Sequence, residues 1–86
     1  MMEEIYTLIE QKIKEAGYQK EVSGRDIYDE INDEIDGKEN GTYLFMCKKT
    51  DDVFFEYKID VMEETFNLSS ITIHEEGQKI YVDLDS

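Results

Sequence analysis

The sequence has 86 residues, of which 22 are Asp or Glu and nine are Lys or Arg, so its formal net charge at pH 7 is −13. This length predicts one domain spanning residues 1–86, because domains run from about 50 to 200 residues. Hydrophobic residues form 40% of the chain, too many for a disordered acidic tail. The charge disfavours direct binding to nucleic acid or to an anionic membrane, since both require Lys and Arg. We therefore expect a basic protein as partner.

Cysteine usage and the first residues bear on location. Cys47 is the only cysteine, so the chain forms no internal disulfide and suits a reducing cytoplasm. The first four residues, Met1-Met2-Glu3-Glu4, carry acidic and no basic side chains, and no sustained apolar run follows them. This pattern predicts neither a targeting signal nor a membrane span. We expect a cytoplasmic protein. The lack of Pro and Trp is consistent with the AT-rich genes of low-GC bacteria and their phages.

Apolar spacing predicts two helices in the N-terminal half. The first covers residues 3–16 and ends before Gly17, which suits a left-handed C-terminal cap. The second runs from Gly24 to Asp36, because Ser23 is a favourable N-cap and Gly37 a favourable stop. Its apolar face is formed by Ile27, Tyr28, Ile31 and Ile35.

From Thr42 onward the apolar pattern alternates, which predicts four strands. In the third strand, Phe66 and Leu68 differ in parity from Ile71 and Ile73, so we expect a bulge near residues 69–70. The predicted fold class is α+β, with two N-terminal helices packed on a four-stranded antiparallel β-meander in the order α-α-β-β-β-β.

The second predicted helix carries the densest acidic stretch. Six carboxylates fall within eleven positions that contain no Lys or Arg: Asp26, Asp29, Glu30, Asp33, Glu34 and Asp36. At about 100° per residue they occupy about 160° of the helix surface, opposite its apolar face. Like charges three and four positions apart repel by about 0.2–0.5 kcal/mol per pair. We interpret the stretch as a partner-binding acidic ridge; the alternative is a solvated helix face without a partner.

The outward face of the predicted sheet is a second candidate surface. Its apolar residues have the parity opposite to the expected core residues and are Leu44, Met46, Phe54, Met62 and Tyr81. If both helices cover the other face, these side chains form a dimer interface or a partner-binding surface. The alternatives are that the helices divide between the two faces or that the strand parity is reversed.

The sequence offers little for catalysis. His74 is the only histidine and is predicted to be exposed, while Cys47 has the inward parity, so the two do not form a nucleophilic pair. Residues 32–37 resemble part of a calcium loop, but the chain lacks the glutamate that closes such a loop. No glycine-rich phosphate loop occurs. We expect no enzyme activity, no catalytic residues, no metal site and no cofactor.

These surfaces favour a binding protein that acts as a monomer or a homodimer. We expect the acidic ridge to occlude a basic, nucleic-acid-binding surface of a partner protein, as a DNA mimic does. In size, charge and α+β character the chain resembles anti-CRISPR and other DNA-mimic inhibitors of phages or mobile elements, a resemblance of composition without a shared motif. Two alternatives are an immunity-type or regulatory partner of a basic toxin or enzyme, and a housekeeping homodimeric domain of a low-GC bacterium or mobile element.

Overall fold

The computed structural model describes residues 2–63 and 65–84, which form two helices followed by four strands. The elements are α1 (Met2–Glu15), α2 (Gly24–Ile35), β1 (Gly41–Thr50), β2 (Val53–Met62), β3 (Thr65–Glu75) and β4 (Gln78–Asp83). The strands form one antiparallel sheet in the order β1-β2-β3-β4. The predicted α+β meander is therefore confirmed. Neither described helix is both long and apolar enough to cross a membrane.

The core lies between the helices and one face of the sheet. Ile9 and Ile13 of α1 are buried there, as are Ile27, Ile31 and Ile35 of α2. The strands contribute alternate residues, namely Val53, Phe55, Tyr57, Ile59, Val61, Ile71, Ile73 and Val82. Since only the odd-numbered residues of β2 are buried, both helices cover the same face. The alternatives of divided helices and of reversed strand parity are wrong.

A β-bulge in β3 resolves the change of parity. Lys58 pairs with Ser70, whereas the adjacent Ile59 pairs with Leu68, which leaves Ser69 as the extra residue. The Ser69 hydroxyl donates a hydrogen bond to Asp60 Oδ2 at 3.1 Å. The bulge thus keeps the apolar residues on both sides of it against the core, and the predicted position is confirmed.

The two helices cross at very short range. The amide of Gly24 donates a hydrogen bond to Glu10 Oε2 at 2.8 Å. A Cβ atom at Gly24 would stand 2.2 Å from the carbonyl oxygen of Tyr6, closer than any real contact. Nearby, the Tyr6 and Tyr28 rings meet edge to face with their centroids 5.6 Å apart. A glycine is therefore required at the start of α2, and the crossing fixes which side of that helix faces solvent.

Candidate protein-interaction surfaces

Helix α2 begins where the sequence predicts. Ser23 has an extended backbone (φ −101°, ψ 115°), and its hydroxyl accepts a hydrogen bond from the Asp26 amide at 3.2 Å. This satisfies one of the amides that a helix N-terminus leaves without a partner. With the start fixed and Ile27, Ile31 and Ile35 buried, most of the acidic positions are directed away from the core.

Five of the six predicted carboxylates lie together on exposed positions, and we call this set the acidic ridge: Asp26, Asp29, Asp33, Glu34 and Asp36. From Asp26 to Asp36 the helix rises about 15 Å, so the ridge carries one carboxylate per about 3–4 Å. One strand of B-DNA carries one phosphate per about 3.4 Å of axis. The charge along α2 is thus spaced much like that of a single nucleic-acid strand.

One cation borders the acidic ridge at its first turn. The Nε of Arg25 lies 3.9 Å from Asp29 Oδ2, and both side chains are largely exposed. An exposed pair of this length contributes little energy and does not hold either side chain in place. The acidic ridge therefore retains most of its negative charge.

Glu30, the sixth predicted ridge residue, lies elsewhere. Its side chain turns under α2 toward the sheet, where Oε1 accepts hydrogen bonds from Lys49 and, at 3.0 Å, from the Tyr57 hydroxyl. Its Oε2 accepts one from the Cys47 thiol at 3.2 Å. Glu30 therefore fastens α2 to strands β1 and β2, and the exposed ridge consists of the remaining five carboxylates.

The surroundings of Glu30 keep it ionised. Burial opposes its charge, but the hydrogen bonds from Lys49, Cys47 and Tyr57 outweigh burial, so the pKa of Glu30 is lowered. Burial raises the pKa of the Tyr57 hydroxyl and of the Cys47 thiol, and the adjacent carboxylate raises both further. Cys47 is accordingly a neutral hydrogen-bond donor and is poorly suited to act as a nucleophile.

The helical wheel does not distinguish Glu30 from the exposed carboxylates. Glu30 stands about 60° from Ile27, whereas the exposed Glu34 stands only about 20° from Ile27. Alternation in β1 directs Lys49 inward together with Cys47, but it does not predict which side chain of α2 lies above them.

The outer face of the sheet, which we call the open face, is uncovered in the described structure. Four predicted apolar residues are exposed there: Leu44 (63%), Met46 (58%), Met62 (55%) and Tyr81 (63%). The fifth, Phe54, points the same way but is half-buried. His74 also lies on this face, half-buried and 3.0 Å from Glu56 Oε1, so the prediction of an exposed histidine is wrong.

The open face rules out one catalytic pairing. His74 lies on the open face, whereas Cys47 faces α2, so the sheet separates the imidazole from the thiol. Within residues 2–63 and 65–84, no group of three or more His, Cys, Asp or Glu side chains is placed to hold a metal ion.

A scan of protein-family models, a search of curated proteins and a search of solved structures each found no match to the chain.

Proposed function

We propose that the protein is a non-enzymatic interaction module whose acidic ridge occupies a basic, nucleic-acid-binding groove of a partner protein. The observation that carries the proposal is the spacing of the five exposed carboxylates, about one per 3–4 Å along α2, against about 3.4 Å per phosphate along one DNA strand. A groove lined by Lys and Arg at phosphate spacing meets the same density of charge on α2. The partner is then blocked by competition for that groove.

The rigidity of α2 supports the same proposal. The helix is fixed at its start by the Ser23 cap and the Gly24 crossing, and along its length by Glu30. Carboxylates on a fixed helix lose little freedom on binding, so more of the attraction to a basic groove is retained as affinity. The repulsion among the ridge carboxylates weakens the isolated fold slightly and is relieved when cations approach.

The proposal is tested by release of nucleic-acid-binding proteins from duplex-DNA resin. The probe is a set of purified bacterial DNA-binding effectors loaded on the resin and challenged with the protein. We expect the wild type to release at least one of them, and the triple variant Asp29→Asn, Asp33→Asn, Asp36→Asn to require at least tenfold more protein for equal release. Added salt should weaken the complex of wild type and effector.

A control variant separates the ridge from the total charge. Glu15→Gln, Asp52→Asn and Glu76→Gln remove the same three charges from exposed positions outside α2. This control should release the effector as the wild type does. Equal loss in both triple variants would mean that net charge, and not the acidic ridge, is responsible. Binding of an effector that keeps its DNA would instead indicate a partner recognised outside its nucleic-acid groove.

A further inference from the structure

A cavity of about 280 Å³ opens beside the N-terminal end of α2. It lies between the connection that joins the two helices, the first turn of α2 and the ends of β1 and β2 that meet at their hairpin, and we call it the α2 pocket. Its buried wall is formed by four side chains: Tyr18, Ile27, Val53 and Phe55. Sites for small molecules are cavities of about 300–1,000 Å³, so the α2 pocket has room for one large side chain rather than for a cofactor.

The buried wall is apolar and partly aromatic. The Tyr18 and Phe55 rings meet edge to face with their centroids 5.9 Å apart. Ile27 and Val53 are buried beside them, and the half-buried Val22 adds an aliphatic side wall. Rings and branched aliphatic groups favour the burial of an apolar side chain, and an aromatic side chain gains ring contacts as well. The inner part of the pocket therefore suits an aromatic or aliphatic group.

The charged side chains around the α2 pocket are unequally engaged. Both lysines that line it are held in ion pairs, namely Lys20–Glu75 and Lys49–Glu30. Glu21 and Asp26 also line it and are exposed, and within residues 2–63 and 65–84 their carboxylates form no ion pair and no hydrogen bond. A group that enters the pocket thus meets two carboxylates that lack a cation. A positive charge beside the apolar group is favoured.

The α2 pocket adjoins the acidic ridge. Asp26 belongs to both, and Asp29, the next ridge carboxylate, lies three residues or about 4.5 Å farther along α2. A segment seated on the acidic ridge therefore reaches the pocket without leaving the helix. Charge attracts the ridge to any basic surface, whereas an apolar anchor in a fitting pocket discriminates among such surfaces.

We propose that the α2 pocket receives an aromatic or aliphatic side chain, flanked by Lys or Arg, from the partner whose basic groove the acidic ridge occupies. The flanking cations meet Glu21 and Asp26, while the apolar group covers the wall that contains Tyr18 and Phe55; this role of the pocket rests on the proposed function. The partner is thereby restricted to basic grooves that also carry an exposed apolar residue. Nucleic-acid-binding proteins use such residues to stack on bases or to insert between them.

The chemistry of the pocket is tested without a partner by phenethylammonium, which joins a ring to a cation. Titration followed by amide NMR should shift mainly the signals of residues that line the α2 pocket. Phenylacetate, which carries the opposite charge, and methylammonium, which lacks the ring, should each bind at least tenfold more weakly. Absence of a localised shift with phenethylammonium, or equal binding of phenylacetate, overturns the assignment.

Filling the pocket tests its role in the complex. Val22→Phe places a ring in the cavity from the half-buried side wall, and Thr50→Phe does so from an exposed lining position. Each should lose the phenethylammonium shifts and should need at least tenfold more protein than the wild type to release the effector from duplex-DNA resin. Thr7→Phe adds the same ring to exposed α1 outside the pocket and should match the wild type in both assays. Circular dichroism checks that each variant is folded.

A charge variant keeps the test decisive if a filled pocket does not fold. Glu21→Gln combined with Asp26→Asn preserves side-chain size and should weaken phenethylammonium binding at least fivefold. The ridge variant Asp29→Asn, Asp33→Asn, Asp36→Asn keeps both pocket carboxylates and should still bind the probe. Equal binding by the wild type and the pocket charge variant overturns the role of the two carboxylates.

The two proposals fail in different ways. A wild type that binds phenethylammonium but releases no effector contradicts the proposed function, and with it the partner named for the pocket. A wild type that releases the effector but binds no phenethylammonium overturns the anchor and leaves the acidic ridge in place. Folded Val22→Phe and Thr50→Phe variants that release the effector as the wild type does have the same meaning.

Discussion

The Tyr57 hydroxyl donates a hydrogen bond to Glu30 Oε1 at 3.0 Å, across the interface between α2 and the centre of the sheet. Tyr57 is almost fully buried at 1% exposure, so its hydroxyl needs a partner that the apolar core does not provide. The Lys49 ammonium group lies beside the same cluster, with its Nζ 5.3 Å from the centroid of the Phe55 ring. One carboxylate thus satisfies donors from two strands.

Removing that carboxylate should destabilise the fold. We expect Glu30→Ala to lower the free energy of unfolding by about 2 kcal/mol, because it leaves the Tyr57 hydroxyl buried without an acceptor. Urea denaturation followed by circular dichroism measures the loss. Glu34→Ala, an exposed position one turn later, is the matched control and should change stability by less than about 0.5 kcal/mol. Equal losses of unfolding free energy in Glu30→Ala and Glu34→Ala would show that the loss comes from removing a charge from the helix and not from breaking the hydrogen bonds of Glu30.

The Glu30 cluster also predicts a pH dependence. Folding lowers the pKa of Glu30, so the unfolded chain binds more protons in acid, and the stabilisation is present above the ordinary glutamate pKa of about 4.3. It is lost as the pH falls through the lower pKa of the folded state. The difference in unfolding free energy between wild type and Glu30→Gln should therefore shrink from pH 7 to pH 3. A difference that stays constant over that range would contradict the assignment.

The helix crossing predicts that Gly24 tolerates no side chain. Gly24→Ala should lower stability by about 1–3 kcal/mol even though alanine is the better helix former, because the new methyl group meets the backbone of Tyr6. Thermal and urea unfolding measure the change. Arg25→Ala alters the adjacent exposed residue and should be within about 0.5 kcal/mol of wild type. A neutral or stabilising Gly24→Ala would mean that α1 and α2 cross less closely than described.

The β3–β4 turn offers a stabilising substitution. Glu76 and Gly77 have φ values of 47° and 80°, so both turn residues are left-handed, as in a type I′ hairpin. Asparagine adopts this conformation more readily than glutamate, and Glu76→Asn should raise stability by about 0.5–1 kcal/mol. Glu76→Gln removes the same charge without the conformational gain and serves as the control. If both variants gain equally, relief of charge repulsion explains the effect.

Much of the fold was predictable from local patterns. The Ser23 cap, the apolar stripe of α2 and the alternation through Val53–Met62 each identify one element, and each element exists as predicted. The bulge at Ser69 followed from parity alone, because no regular strand could bury both Leu68 and Ile71. These features depend on residues close together in sequence, which a pattern can reveal.

The candidate site was less predictable because its details depend on contacts between distant elements. The helical wheel gives the angle of Glu30 but not the presence of Lys49 and Tyr57 beneath it. Likewise, no residue near Gly24 in the sequence predicts that the carbonyl oxygen of Tyr6 lies against it. Exposure of the open face was conditional on where the helices packed, and only the assembled core decides that.

The charge of the molecule is distributed unevenly, because the open face is nearly neutral. Among the described residues the open face carries three lysines and three carboxylates, whereas the remaining described side chains include six basic and sixteen acidic residues, so most of the net negative charge lies off this face. In the field of a cationic surface such a body experiences a torque as well as an attraction. For the basic partner proposed above, this torque would turn the helices toward the partner before contact and so raise the share of productive encounters.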